Sequence, residues 1–163
     1  MKSTRFVGLD VHAATIAVAV AEPDGEVRAV GTIPNEPEAV RRLVKKLGPA
    51  EHLRACYEAG PCGYVLYWQL TALGVACDVI APALTPRRPG QRIKTDRRDA
   101  AKLVRFFRAG ELTAIHVPAE AEEAGRDLIR CRDDIRRDVL RWRHRTLKLL
   151  TRHGRNYLGG SGA

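Results

Sequence analysis

The chain has 163 residues with 45% apolar, 29% charged and 6% aromatic residues, a composition that excludes intrinsic disorder and gives enough chain for one ordinary core. Its formal charge is +9 and is unevenly spread: residues 1–86 hold 8 basic and 9 acidic side chains, residues 87–163 hold 20 and 10. A near-neutral first half followed by a basic second half points to a folded body with a polyanion-binding arm. No apolar run approaches the ~18–20 residues of a membrane span, and Asp10 and His12 interrupt the one stretch that imitates a signal peptide. The expected location is therefore the cytoplasm. Cys56, Cys62, Cys77 and Cys131 form no C-x-x-C pair and read as reduced thiols. No P-loop and no G-x-G-x-x-G occurs.

In chain order, Phe6 to Val11 is a short apolar run interrupted by an acid, and Ile16 to Val20 is rich in β-branched residues. Pro23, Asp24 and Gly25 mark a hairpin turn before a third strand from Val27 to Ile33. From Glu36, Val40, Leu43, Val44 and Leu47 recur at helical spacing until Gly48 and Pro49 stop the helix. Leu53 to Tyr57 is a fourth strand ending at Glu58; Gly60 and Pro61 start a second helix that runs to Gly74; Val75 to Ile80 is a fifth strand. Strands four and five, joined through a helix, are expected to be parallel.

Residues 81–95 hold Pro82, Pro86, Pro89 and Gly90 beside Arg87, Arg88, Arg92 and Lys94, a loop of functional length. A helix from Asp96 to about Ala109 and an extended piece from Thr113 to Val117 follow. From Ala119 to about His153 the chain is nearly all helix former, with Leu128, Ile135, Trp142 and Leu149 at intervals of seven. That stripe either seats a coiled-coil-like partner helix or packs on the body. The expected organisation is a catalytic domain over 1–117, a basic helical extension over 118–158 and a flexible end over 159–163.

Four carboxylates stand where elements change: Asp10 and Glu58 at the ends of strands one and four, and Asp96 and Asp99 on one face at the start of a helix. Singly, each has an ordinary explanation as a turn acid, a loop acid, a helix cap or a dipole partner. Their coincidence with the β-β-β-α-β-α-β-α order is what carries weight. Strands one and four are central neighbours in the ribonuclease H topology, which would set Asp10 beside Glu58. Clustered carboxylates repel unless a cation joins them, and hard Mg²⁺ or Mn²⁺ suits oxygen ligands; two such ions ~3.5–4 Å apart activate phosphodiester displacement.

The segments FVGLDVHA (6–13), YEAGPCG (57–63) and KTDRRDAAK (94–102) resemble the three acidic motifs of the DEDD transposases of bacterial insertion sequences. The resemblance covers roughly residues 5–155. It implies a ribonuclease H-like (RuvC-like) α/β fold: a mixed five-stranded sheet with flanking helices, followed by a long basic helical extension. It implies that Asp10, Glu58, Asp96 and Asp99 are the catalytic, metal-binding tetrad, acting in metal-dependent DNA cleavage and rejoining. It also implies DNA partners (transposon ends and target), a structured guide RNA, and dimerisation assisted by the C-terminal helix. Full-length members continue into a second domain bearing a nucleophilic serine; Ser161, between glycines, has no context for that role, and the chain is expected to be an N-terminal fragment.

Phosphate contact is expected from Arg87, Arg88, Arg92 and Lys94 on the loop and from Arg130, Arg136, Arg137, Arg141, Arg145 and Lys148 on the last helix, because residues 126–155 hold 11 basic against 4 acidic side chains. Trp142 is expected to pack, His12 to be a loop residue beside the site, and Tyr57, Tyr64, Tyr67 and Trp68 to belong to the core. A Holliday-junction resolvase or other ribonuclease H-like nuclease, and a noncatalytic nucleic-acid-binding module, are the competing functions. A sugar-kinase or actin-like ATPase would need a glycine where His12 stands.

Overall fold

A computed structural model describes residues 4–86 and 96–156, with Asp96 and Arg97 described by their backbone alone. It divides into two compact units, residues 1–117 and 118–163. The first unit contains strands β1 (Arg5–Val11), β2 (Thr15–Ala21), β3 (Val27–Pro34), β4 (Leu53–Glu58) and β5 (Ala76–Ile80), with helices α1 (Pro37–Leu47), α2 (Val65–Ala72) and α3 (Asp96–Ala109). The second is built on one helix, α4 (Glu120–Arg152).

The strands form one sheet in the order β3-β2-β1-β4-β5. β1, β2 and β3 are a meander of antiparallel pairs, whereas β4 runs parallel to β1 and β5 parallel to β4. This is the mixed sheet the ribonuclease H-like expectation requires, with the first and fourth strands adjacent. The edge of β5 is partly covered by the extended piece after α3: Ile80 bridges Ala114, and Ile115 N–H donates to the Val79 carbonyl.

Side-chain alternation along β1 and β4 assigns the two faces of the sheet. Val7, Leu9, Leu53, Ala55 and Tyr57 are buried in a core that includes Val40, Leu43, Val44 and Leu47 of α1 and Leu66 and Leu70 of α2. The other face is covered by α3. There Ala17, Ala19 and Ala21 of β2 meet Ala100 and Val104, while Cys56 and Ile80 meet Leu103 and Phe107. Small residues on β2, and Gly8 beside them on β1, let α3 lie close to the sheet. Arg108 fixes the far end of α3 by donating to the Glu22 carbonyl at 2.8 Å and to the Gly25 carbonyl in the β2–β3 turn.

One expectation needs correction. Helix α2 begins at Val65, not at Gly60: residues 60–64 make a turn in which Gly63 N–H donates to the Gly60 carbonyl. Gly63 adopts φ +63°, a conformation a helix cannot use and that glycine tolerates without Cβ strain. The Tyr57 hydroxyl donates to the Gly63 carbonyl at 3.1 Å, bracing this turn directly after Glu58. Among the described residues no helix is long and apolar enough to cross a membrane.

Candidate metal and nucleic-acid site

The candidate site is built at the carboxyl ends of β1 and β4. Their parallel register pairs Gly8 with Cys56 and Leu9 with Tyr57, so the next step places Asp10 opposite Glu58. Asp10 is two residues beyond Gly8 and Glu58 two beyond Cys56, which puts both acids on the α3 face.

Helix α3 runs antiparallel to β1 across this face. The rings of Phe6 and Phe107 meet edge to face at 5.8 Å. Two residues along β1, a Cβ on Gly8 would lie 2.6 Å from the Ala100 carbonyl oxygen and 2.8 Å from Val104 Cβ, so only glycine admits the helix here. Two further residues on β1, about 6.6 Å, lead to Asp10. One further turn back on α3, about 5.4 Å, leads to position 96. Position 96 precedes Ala100, which packs on the β2 side, and position 99 precedes Leu103, which packs against Cys56 of β4. The backbone therefore carries all four acid-bearing positions to one end of the sheet, with 96 toward β1 and 99 toward β4.

The local surroundings of Asp10 are built by the β1–β2 turn. His12 N–H donates to the Thr15 carbonyl at 2.8 Å, and Asn35 Nδ2 donates to the His12 carbonyl at 2.9 Å. This turn brings His12 Nε2 within 3.3 Å of Asp10 Oδ2. Cys62 Sγ lies 4.0 Å from the Val11 carbonyl, joining the turn after Glu58 to the end of β1. Asp10 is largely covered, with its side chain 25% exposed; Asp99 is half-buried and Glu58 exposed. Among the described residues no three His, Cys, Asp or Glu side chains converge as a metal site. Asp96 is the acid whose side chain lies outside that description. The donor chemistry fits a hard divalent cation: carboxylate oxygens on three rigid elements of one sheet end.

Groups on β4 and the adjacent β5 are held neutral. Burial pushes the Cys56 thiol and the Tyr57 hydroxyl upward, and burial together with the nearby Asp78 pushes the Cys77 thiol up to about 12. None of these is a nucleophile at neutral pH.

The basic candidates divide. Arg87, Arg88, Arg92 and Lys94 lie outside the described residues, as does Ser161. On α4, Arg130 is ion-paired with Glu123 and Asp127, Arg137 with Asp134, and Arg141 with Asp138. Arg145 stacks over the Trp142 ring at 5.1 Å. Arg136 and Lys148, with Arg132 and Arg143, which the sequence reading did not single out, form no ion pair among the described residues. The stripe residues Leu128, Ile135, Trp142 and Leu149 are all exposed, Leu128 to 73%.

Sequence reasoning missed Gly8, Asn35 and the bracing role of Tyr57. Gly8 and Tyr57 lie inside the quoted motifs, yet their contacts cross the fold and leave no local signal; Asn35 carries no signal at all.

A transposase family of the DEDD type (IS110) matches residues 7–154. The transposase-named protein y4qE of Sinorhizobium fredii (strain NBRC 101917 / NGR234) is 46% identical over 157 residues, covering 94% of this chain and 40% of that protein. The transposase for insertion sequence element IS1533 of Leptospira borgpetersenii is 39% identical over 155 residues, covering 93% of this chain and 45% of that protein. The chain thus spans less than half the length of these curated relatives. Among solved structures, Thermus thermophilus RuvC is matched at a TM-score of 0.43 and 14% identity, over 69% of this chain and 100% of that one. T. thermophilus RuvC in complex with Holliday junction substrate is matched at 0.42 and 11%, over 69% of this chain and 99% of that one.

Proposed function

The chain belongs to the DEDD (IS110) transposase family, and on that premise we propose that it is the metal-binding, DNA-contacting part of a recombinase that cuts and rejoins DNA during transposition of an insertion sequence. The observation that carries this reading is the register that sets Asp10 opposite Glu58 under the first turn of α3. Asp10, Glu58, Asp96 and Asp99 would hold Mg²⁺ or Mn²⁺, as one ion or as a pair. When bound, such ions supply charge neutralisation and oxygen activation for phosphodiester displacement.

The chain's own groups have separable parts. The Tyr57–Gly63 hydrogen bond and the Asn35-braced turn hold Glu58 and Asp10 in place, and His12 takes a position against Asp10. The loop cations Arg87, Arg88, Arg92 and Lys94 immediately precede the acidic pair in sequence and would bring the DNA backbone to it. Arg136 and Lys148 on α4, which form no ion pair among the described residues, would extend the phosphate contact, and a structured guide RNA would engage the same chemistry. Self-association through the apolar stripe of α4 completes the reading.

Binding of labelled duplex DNA by the full chain tests it, measured with and without millimolar Mg²⁺ or Mn²⁺. The reading expects salt-sensitive affinity that the cation raises in the wild type but not in Asp10→Ala. Affinity indifferent to both cation and substitution would make this a noncatalytic binding module. Metal-dependent cleavage of a four-way junction by this chain alone would favour a resolvase.

A further inference from the structure

Helix α4 is asymmetric in charge along its length. Its first eight residues, Glu120 to Asp127, hold four acids and one base; its last twelve, Arg141 to Arg152, hold five bases and no acid. The apolar stripe of Leu128, Ile135, Trp142 and Leu149 lies between and along these ends, exposed throughout. At 100° per residue this stripe falls on one side of the helix; Arg130, Arg137 and Arg141 fall well away from it, whereas Asp138, three residues after Ile135 and four before Trp142, lies beside it. Asp138 is two residues from the middle of the helix and would meet an acid in either orientation, so the interhelical charge that differs between orientations is the polarity of the two ends.

We propose that the occupant of this stripe is a second copy of the same helix, packed antiparallel about a two-fold axis near the middle of α4. This rests on the self-association in the proposed function and adds its direction. Antiparallel pairing sets the acidic first turns of each helix against the basic last turns of the other, twice per dimer. Parallel pairing would set acids against acids and five bases against five bases. A two-fold axis across the helices makes the contact isologous and closed, so the pair stops at two copies. Arg130, Arg137 and Arg141 then face outward on both sides of the dimer.

Sedimentation equilibrium of the full chain at low salt tests this with charge-reversal variants. One variant carries Glu120→Lys, Glu122→Lys and Asp127→Lys; another carries Arg145→Glu, Lys148→Glu and Arg152→Glu; a third combines all six. The antiparallel pair requires each triple reversal to weaken dimerisation about tenfold or more, and the combined variant to recover most of that loss. In a parallel pair the acidic-end reversal only exchanges one like-charge contact for another, and the basic-end reversal, which takes that end from +5 to −1, relieves repulsion and tightens the dimer. Exposed Cys131 gives a second readout that is independent of helix stability in the variants. In a parallel pair the two Cys131 thiols face each other and bridge on air oxidation. In the antiparallel pair they are offset by on the order of 15 Å along the axis, beyond the ~7 Å Cα span of a disulfide.

The expected wild-type result is a dimer without a Cys131–Cys131 bridge. A bridged dimer, or triple reversals that fail to weaken the dimer in variants whose helix content is intact, overturns the antiparallel arrangement and leaves self-association standing. A monomeric wild type, or a dimer that Ile135→Asp leaves undisturbed, overturns both.

Discussion

Gly8 is the point where sheet and helix come closest, and substituting it with alanine probes the positioning of the candidate site. The added methyl would lie 2.6 Å from the Ala100 carbonyl oxygen and 2.8 Å from both Val104 Cβ and Val104 N. Two of these atoms are helix backbone, so no side-chain rotation relieves the contact and α3 must move off the sheet. Overpacking of this kind costs about 1–3 kcal/mol, a fall of roughly 5–12 °C in Tm for a unit of this size. The movement also displaces positions 96 and 99 from Asp10 and Glu58, and ligand sets tolerate only about 0.5 Å of such error. Thermal unfolding followed by circular dichroism, with and without millimolar Mn²⁺, separates the two effects. Gly8→Ala should unfold at lower temperature and lose most of the metal-induced rise in Tm. A variant with wild-type Tm and an undiminished metal response would refute both the close approach and its link to the acids.

Three further outcomes follow from other parts of the chain. Gly125 lies within α4 with nothing within 4 Å of an added Cβ, so Gly125→Ala should raise helix stability by about 0.5–1 kcal/mol, read from thermal unfolding by circular dichroism. Among the α4 cations, the triple variant Arg136→Gln, Arg143→Gln, Lys148→Gln should flatten the slope of log affinity against log salt for duplex DNA by about 3, whereas Arg130→Gln, Arg137→Gln, Arg141→Gln should change it less, because those three already face carboxylates. The folded protein keeps the Cys77 proton up to about pH 12, while the unfolded chain releases it near 9. Stability should therefore be fully present below about pH 9 and decline as pH rises toward 12, with a shallower decline in Cys77→Ala, measured by urea unfolding across that range.

The strands were readable because each is a short β-branched or apolar run closed by a turn signal, and the meander's Pro23–Gly25 turn is local chemistry. The start of α2 was not readable in the same way. Gly60 and Pro61 resemble a helix start, yet Gly63 at φ +63° and the Tyr57–Gly63 hydrogen bond spend these residues on a turn instead. The acids were legible as types at element ends, and their juxtaposition followed only from the strand order, since Asp10 and Glu58 are 48 positions apart in the chain. Gly8 is different again: one glycine in an apolar run has many readings until α3 is seen lying over it. The pairing of Arg130, Arg137 and Arg141 was present in the sequence as Asp127, Asp134 and Asp138 three positions earlier. Net charge alone hides such i,i+3 neutralisation, because it counts cations without asking which are already satisfied.

If Asp10, Glu58, Asp96 and Asp99 share a divalent cation, calorimetric titration of Mg²⁺ and Mn²⁺ into the full chain will detect it. Saturable binding is expected in the wild type, with a rise in stability of ~3 kcal/mol at about a hundred times the dissociation constant. Asp10→Ala and Asp96→Ala should each abolish most of that binding while leaving the metal-free protein as stable or more so, because carboxylate repulsion is relieved. No metal binding by the wild type, together with lower stability in both variants, would return the four acids to turn and cap roles.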